Sequence, residues 1–156
     1  MTNDIILRRA TLADMWDLYK LSNSPEVRAV SFHQDPITRE EHEKWYQNKL
    51  SDDNCIMFVI TNNDRDFVGS IRFDKTSTQE CIVSILINQQ FRGRGVGTQA
   101  IKEASKIIMN NSPTCRIKAR ILKNNIGSLK SFLRAGYQES TQPSSENNEP
   151  IELIFP

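Results

Sequence analysis

The chain has 156 residues, with 20 lysines and arginines against 19 aspartates and glutamates and a net charge of +1. That length supports one domain with its own core, and the mixed charges form no basic stripe or polybasic tail of the kind that binds nucleic acid. No apolar run approaches the roughly 18 residues of a membrane span, and Met1-Thr2-Asn3-Asp4 does not read as a signal peptide. A cytoplasmic protein without a nucleic-acid or membrane partner is expected.

In chain order, Ile5-Ile6-Leu7-Arg8-Arg9 predicts a short strand. Thr11 and Asp14 form a capping-box pattern for a helix over roughly 12–23, stopped by Asn23-Ser24-Pro25. Residues 24–37 read as irregular between Pro25 and Pro36. Thr38 and Glu41 form a second capping box, opening a helix to about Leu50. Strands follow over Cys55–Thr61 and Phe67–Asp74, joined by a polar hairpin loop. Cys81–Asn88 is apolar at nearly every position, as in a central strand covered on both faces. The next helix repeats Val96, Ala100, Ile101, Ala104, Ile107 and Ile108 at a 3.6-residue period. A strand over Arg116–Leu122 and a helix from Asn124 to Gly136 come next. A last strand pair, near Tyr137–Ser140 and Ile151–Phe155, flanks a polar loop from Thr141 to Glu149.

Three cysteines (Cys55, Cys81 and Cys115) sit at strand starts without a C-x-x-C pair, which argues for small buried side chains rather than disulfides or zinc. His33 and His42 lack metal-ligand spacing, so no metal is predicted.

Before the longest helix lies Gln90-Phe91-Arg92-Gly93-Arg94-Gly95-Val96-Gly97-Thr98. Three glycines at alternate positions leave backbone N–H groups unshielded, able to converge on an anion at a helix N-terminus. Arg92 and Arg94 add positive charge, which suits a pyrophosphate. A triphosphate loop needs G-x-x-x-x-G-K-S/T, and no Lys-Ser or Lys-Thr pair follows. A dinucleotide fold needs G-x-G-x-x-G after its first strand. Here the pattern is G-x-G-x-G, and the roughly 60 residues that remain are too few for a second mononucleotide-binding half.

The spacing Q/R-x-x-G-x-G/A, met by Gln90, Gly93 and Gly95, resembles the acyl-coenzyme A loop of the GNAT acetyltransferase superfamily. Asn125-Ile126-Gly127-Ser128 through Phe132 to Gly136-Tyr137 is similar to that family's second landmark, N-x-x-S/A-x-x-x-Y/F-x-x-x-G-F/Y. The order of elements also matches over essentially the whole chain. The resemblance implies a single α/β (α+β) GNAT-fold domain over residues 1–156. Its mixed sheet of about six or seven strands would be splayed between strands four and five, with helices on both faces.

The implied reaction is attack by a neutral primary amine on the thioester of acetyl-coenzyme A. By resemblance, the main chains of Ile85 and Ile87 pair with the pantetheine amides, and the Ile87 N–H meets the thioester oxygen. Arg92, Gly93, Arg94, Gly95, Val96, Gly97 and Thr98 hold the pyrophosphate, and Asn125 and Ser128 contact the pantetheine arm. Phe132 stands where many members carry a tyrosine that protonates the leaving thiolate, and its ring has no proton to give. Glu80 and His42 are the candidate bases, the latter because an imidazole titrates near neutral pH.

The N-terminal third, Asn23-Ser24-Pro25-Glu26-Val27-Arg28 with Phe32-His33 and Trp45-Tyr46, resembles a subgroup acetylating nucleotide-linked amino sugars of surface-glycan precursors. Similar domains occur fused to nucleotide-sugar hydrolases. Arg28 would then pair with a diphosphate, and Phe32 and Trp45 would stack on a sugar or base. Two alternatives remain open: a protein N-terminal or ribosomal-protein acetyltransferase, and a non-catalytic coenzyme A-binding module. A homodimer through a sheet edge is compatible with the fold.

Overall fold

The computed structural model describes residues 4–140 and 150–156, so the polar loop expected at 141–149 lies outside the described residues. Seven strands form one sheet: β1 (Ile5–Arg9), β2 (Cys55–Asn62), β3 (Phe67–Ser77), β4 (Glu80–Ile87), β5 (Arg116–Ile121), β6 (Gln138–Glu139) and β7 (Ile151–Ile154). Their spatial order is β1-β2-β3-β4-β5-β7-β6. Neighbours run antiparallel except β4 and β5, which are parallel. The helices are α1 (Met15–Ser22), α2 (Pro25–Ala29), α3 (Arg39–Ser51), α4 (Val96–Asn111) and α5 (Ile126–Arg134).

Side-chain alternation divides the strands between two cores. In one, Ile60, Ile71 and Phe73 of the sheet pack with Ala100, Ile101 and Ala104 of α4, and Ile117 of β5 and Leu153 of β7 join them. In the other, Met15 and Leu18 of α1 and Tyr46 of α3 cover Cys55 and Met57. Helices therefore occupy both faces, as expected. All three cysteines are buried free thiols, and burial pushes Cys55 up to about 11.

The predicted caps form. The Thr11 amide donates to the Asp14 carboxylate at 2.8 Å, and Thr38 Oγ1 accepts from the Glu41 amide at 3.2 Å. One region differs from expectation: residues 24–37 are not wholly irregular. Ser24 takes an extended N-cap conformation and Pro25 follows at the first helical position, so the residues that stop α1 also start α2.

Two main-chain features prepare the site. Pairing of β4 with β5 runs from Glu80–Arg116 to Val83–Ala119 and goes no further. Beside the unpaired half of β4, Gly69 of β3 makes a close approach, because a Cβ there would lie 2.0 Å from the Leu86 carbonyl oxygen.

Candidate active site

Where β4 and β5 part, a cleft of about 650 Å³ opens through the sheet. One wall is Ser84 to Ile87 of β4, and the other is Arg120, Ile121 and the start of α5. The N-terminus of α4, Glu26 and Val27 of α2, and Phe32 complete the lining.

The direction of the β4 backbone follows from its bonds at either end. The Asn88 amide donates to Val68 of β3 at 2.7 Å, while the Gln79 carbonyl accepts from the Arg116 amide beside β5 at 2.7 Å. Alternation along a strand then turns the main-chain groups of Ile85 and Ile87 toward β5, into the gap. The Ile87 carbonyl accepts from Arg92 Nε at 3.0 Å, and its N–H faces the same way. The side chains of both isoleucines pack against the α4 core.

Gly93 and Gly95 have φ of +77° and +80°, which L side chains rarely adopt, and Gly95 is the N-cap of α4. A Cβ at either would meet nothing within 4 Å, so both border open space. The amides of Val96, Gly97 and Thr98 belong to the first helical turn and have no partner within it. Together with the dipole of a 16-residue helix they form an anion cradle. This donor set fits a coenzyme A diphosphate, and a side chain at Gly95 would intrude on it. Gly97 allows α4 to approach α5, since a Cβ there would touch Ser131 Oγ at 3.4 Å.

Most of the predicted donor-site residues meet here. Ile85, Ile87, Arg92, Gly93, Gly95, Val96, Gly97, Thr98, Asn125, Ser128 and Phe132 line the cleft, whereas Arg94 does not. Asn125 also caps α5, accepting from the Ser128 amide at 3.4 Å. Phe132 is buried, edge-on to Tyr137 with ring centroids 5.0 Å apart. The Tyr137 hydroxyl is bonded to Ser105 Oγ at 2.7 Å inside the core.

On the acceptor side four expectations are corrected. His42 lies outside the cleft, 2% exposed, with Nε2 donating to the Met15 carbonyl at 2.8 Å. Burial lowers its pKa, so the ring is a neutral internal strut rather than a base. Glu80 sits at the closed end of β4, paired to Lys118 at 3.0 Å. That hydrogen bond holds its carboxyl below the usual range.

Arg28 is committed to its own loop: Nε donates to Ser22 O at 2.8 Å, and Nη1 donates to His33 O at 2.6 Å. Trp45 packs in the α1–α3 core and lies under the Arg72 guanidinium at 5.0 Å. Phe32 does line the cleft, 57% exposed, with the Arg120 guanidinium 5.9 Å from its ring centroid.

Sequence reading missed Glu26, Ser84 and Arg120, all of which line the cleft. Arg120 had a signal, because the alternation Arg116-Ile117-Lys118-Ala119-Arg120 puts it on the face opposite the α4 core. Among the described lining residues, Glu26 is the one carboxylate, set against Arg92, Arg120, Lys130 and Arg134. The described residues contain no cluster of three or more potential metal ligands, and none of their helices is long and apolar enough to cross a membrane.

Comparison with known proteins bears on this arrangement. The uncharacterized protein MJ1062 of Methanocaldococcus jannaschii is 29% identical over 145 residues, which cover 92% of this chain and 30% of that protein. The chain thus spans under a third of that relative's length. Putative phosphinothricin acetyltransferase YwnH of Bacillus subtilis is 28% identical over 141 residues, covering 85% of this chain and 83% of that protein.

Among solved structures, a domain from Methanocaldococcus jannaschii has a TM-score of 0.82 at 26% identity, covering 97% of this chain and 99% of that one. Vibrio cholerae spermidine N-acetyltransferase, solved with CoA and spermine, has a TM-score of 0.81 at 15% identity, covering 96% and 92%, a likeness of fold. The acetyltransferase (GNAT) domain model matches residues 4–138, and the protein belongs to that family.

Proposed function

We propose that this domain moves an acetyl group from acetyl-coenzyme A to the primary amine of a small molecule, a nucleotide-linked amino sugar. The observation that carries the transfer reading is the opening of β4 from β5 beside a glycine-lined helix N-terminus. The sugar acceptor rests on the resemblance of residues 23–46 and on the excess of cationic over acidic side chains lining the cleft.

In this reading the amides of residues 95–98 and Arg92 hold the diphosphate, and Asn125 and Ser128 flank the pantetheine arm. The main chains of Ile85 and Ile87 orient the thioester as an added strand would be oriented, and the Ile87 N–H donates to its carbonyl oxygen. That donor is fixed before reaction, so it stabilises the negative charge that develops there as the amine attacks.

Forming the C–N bond leaves a proton on nitrogen. Glu26 takes it, as the one carboxylate among the described lining side chains. The C–S bond then breaks and the electron pair leaves with sulfur. Phe132 has no proton to return, so the thiolate takes one from water.

Thiol release measured with acetyl-coenzyme A and panels of amino-sugar nucleotides, simple amines and N-terminal peptides tests the proposal. Release that depends on a small-molecule amine is expected. Release only with peptides overturns the acceptor. Stabilisation by coenzyme A without release from any panel overturns the activity and leaves a binding module.

A further inference from the structure

We propose that Arg120 and Phe32 form an acceptor-side anion site, so that the amine acetylated here belongs to an anionic molecule rather than a polycation. The inference rests on the transfer reading above and adds the residues that hold the acceptor's anionic group. Arg120 is the first β5 residue beyond the last pair with β4, Val83–Ala119, so it flanks the apex of the opening opposite Ser84.

Its side chain lies on the face away from α4. Ile117, Ala119 and Ile121 are buried in the α4 core, and alternation turns Arg116, Lys118 and Arg120 to the other side. Arg120 therefore stands across the sheet from α4, whose N-terminus forms the diphosphate cradle. It is a cation with a different ligand to meet.

Its neighbours leave that charge uncompensated. Glu152 of β7 is its cross-strand partner, but the Glu152 carboxylate turns to Lys118 at 3.6 Å. No ion pair between Arg120 and a carboxylate occurs among the described residues. What the guanidinium does meet is the Phe32 ring, 5.9 Å from its carbon. A planar cation held against an aromatic face keeps its N–H edge available for phosphate, phosphinate or carboxylate oxygens. The exposed ring beside it offers an apolar surface for the rest of the molecule. A polyamine placed there would face like charge.

Phe32 is held ready for this. Arg28 bonds to the carbonyls of Ser22 and His33 on either side of it, and Asn124 Nδ2 donates to Ala29 O at 3.2 Å across the cleft mouth.

Calorimetry on coenzyme A-saturated protein, in which the donor half is filled, tests the site with four amines: UDP-glucosamine, phosphinothricin, glucosamine and spermidine. Wild type is expected to bind one of the two anionic amines at least about tenfold more tightly than glucosamine, the scale of a hydrogen-bonded charge. Spermidine should bind no better than glucosamine. A preference for UDP-glucosamine assigns the anion to a nucleotide diphosphate, and a preference for phosphinothricin assigns it to an amino-acid-sized acceptor.

Arg120→Gln should abolish the preference, while coenzyme A still raises its Tm as in wild type. A wild type with no anion preference, tightest binding by spermidine, or an Arg120→Gln variant that keeps the preference overturns the site. Arg120-dependent binding without thiol release from any amine overturns the proposed activity and supports the anion site.

Discussion

His42 on α3 and Ile87 on β4 stand in regions that use polar groups in opposite ways. Around His42, the rings of Trp16, Tyr19, Trp45 and Tyr46 lie with centroids 5.2 to 6.4 Å away, and its Nε2 bonds to a backbone carbonyl. Tyr46 is likewise buried, with its hydroxyl donating to Thr11 O at 2.5 Å. His42 Nε2 and the Tyr46 hydroxyl are both spent on backbone carbonyls inside the fold, which leaves neither to offer a ligand. Along Ile85, Leu86 and Ile87 of β4 the side chains are apolar, yet the main chain has no strand neighbour on one edge. Reactive residue types identify a site less reliably than polar groups left without a partner.

Several substitutions break or sharpen that contrast. The largest effect is expected at Gly95, where Trp would fill the space above the α4 N-terminus. Gly95→Trp should abolish the rise in Tm on adding coenzyme A, while circular dichroism shows the fold retained. Stabilisation surviving that change would remove the cradle assignment.

Next is Gly69→Ala, whose methyl group would overlap the Leu86 carbonyl. A loss of about 3 kcal/mol, or roughly 6–12 °C in Tm, is expected by thermal unfolding. Glu26→Gln should lower kcat about 100-fold in a thiol-release assay, with coenzyme A binding unchanged. His42→Gln and Glu80→Gln, measured alongside, should leave kcat within a few-fold of wild type.

A smaller effect concerns acid stability. His42 has a folded pKa below its ordinary value of 6.5, so the unfolded chain binds the proton more readily. Stability is therefore complete above that value and falls as the pH drops through it. Tm should decline as the pH falls below about 6.5 in wild type and stay flatter in His42→Gln. Asp14, held low by the Arg8 hydrogen bond, adds a second loss at lower pH that both proteins share. Smallest is Phe132→Tyr, expected to raise kcat several-fold. A well-placed proton donor contributes about 100-fold or more where the leaving group is poor, and a thiolate already leaves well.

Strands, caps and the glycine loop were legible because each rests on local chemistry: the apolar run of β4, alternation in β5, Thr38 with Glu41, and glycines at positive φ. The donor half of the cleft followed, since its ligands are consecutive in sequence or backbone atoms. The acceptor half was less legible. Arg28 and His42 look available in a linear reading, and only the packed chain shows the carbonyls of Ser22, His33 and Met15 that occupy them. Arg120 and Glu26 were passed over for the converse reason. Both matter because the fold brings them to one cleft with residues far off in sequence, as Arg120 meets the ring of Phe32, 88 positions earlier.

The Arg28 guanidinium knots residues 22 to 35 into a closed loop. In the proposed reading an incoming amine meets a wall already tied together by these bonds, and little chain entropy is lost on docking. Selection at such a wall works by exclusion: molecules of the wrong shape are turned away, since the loop has no slack with which to accommodate them.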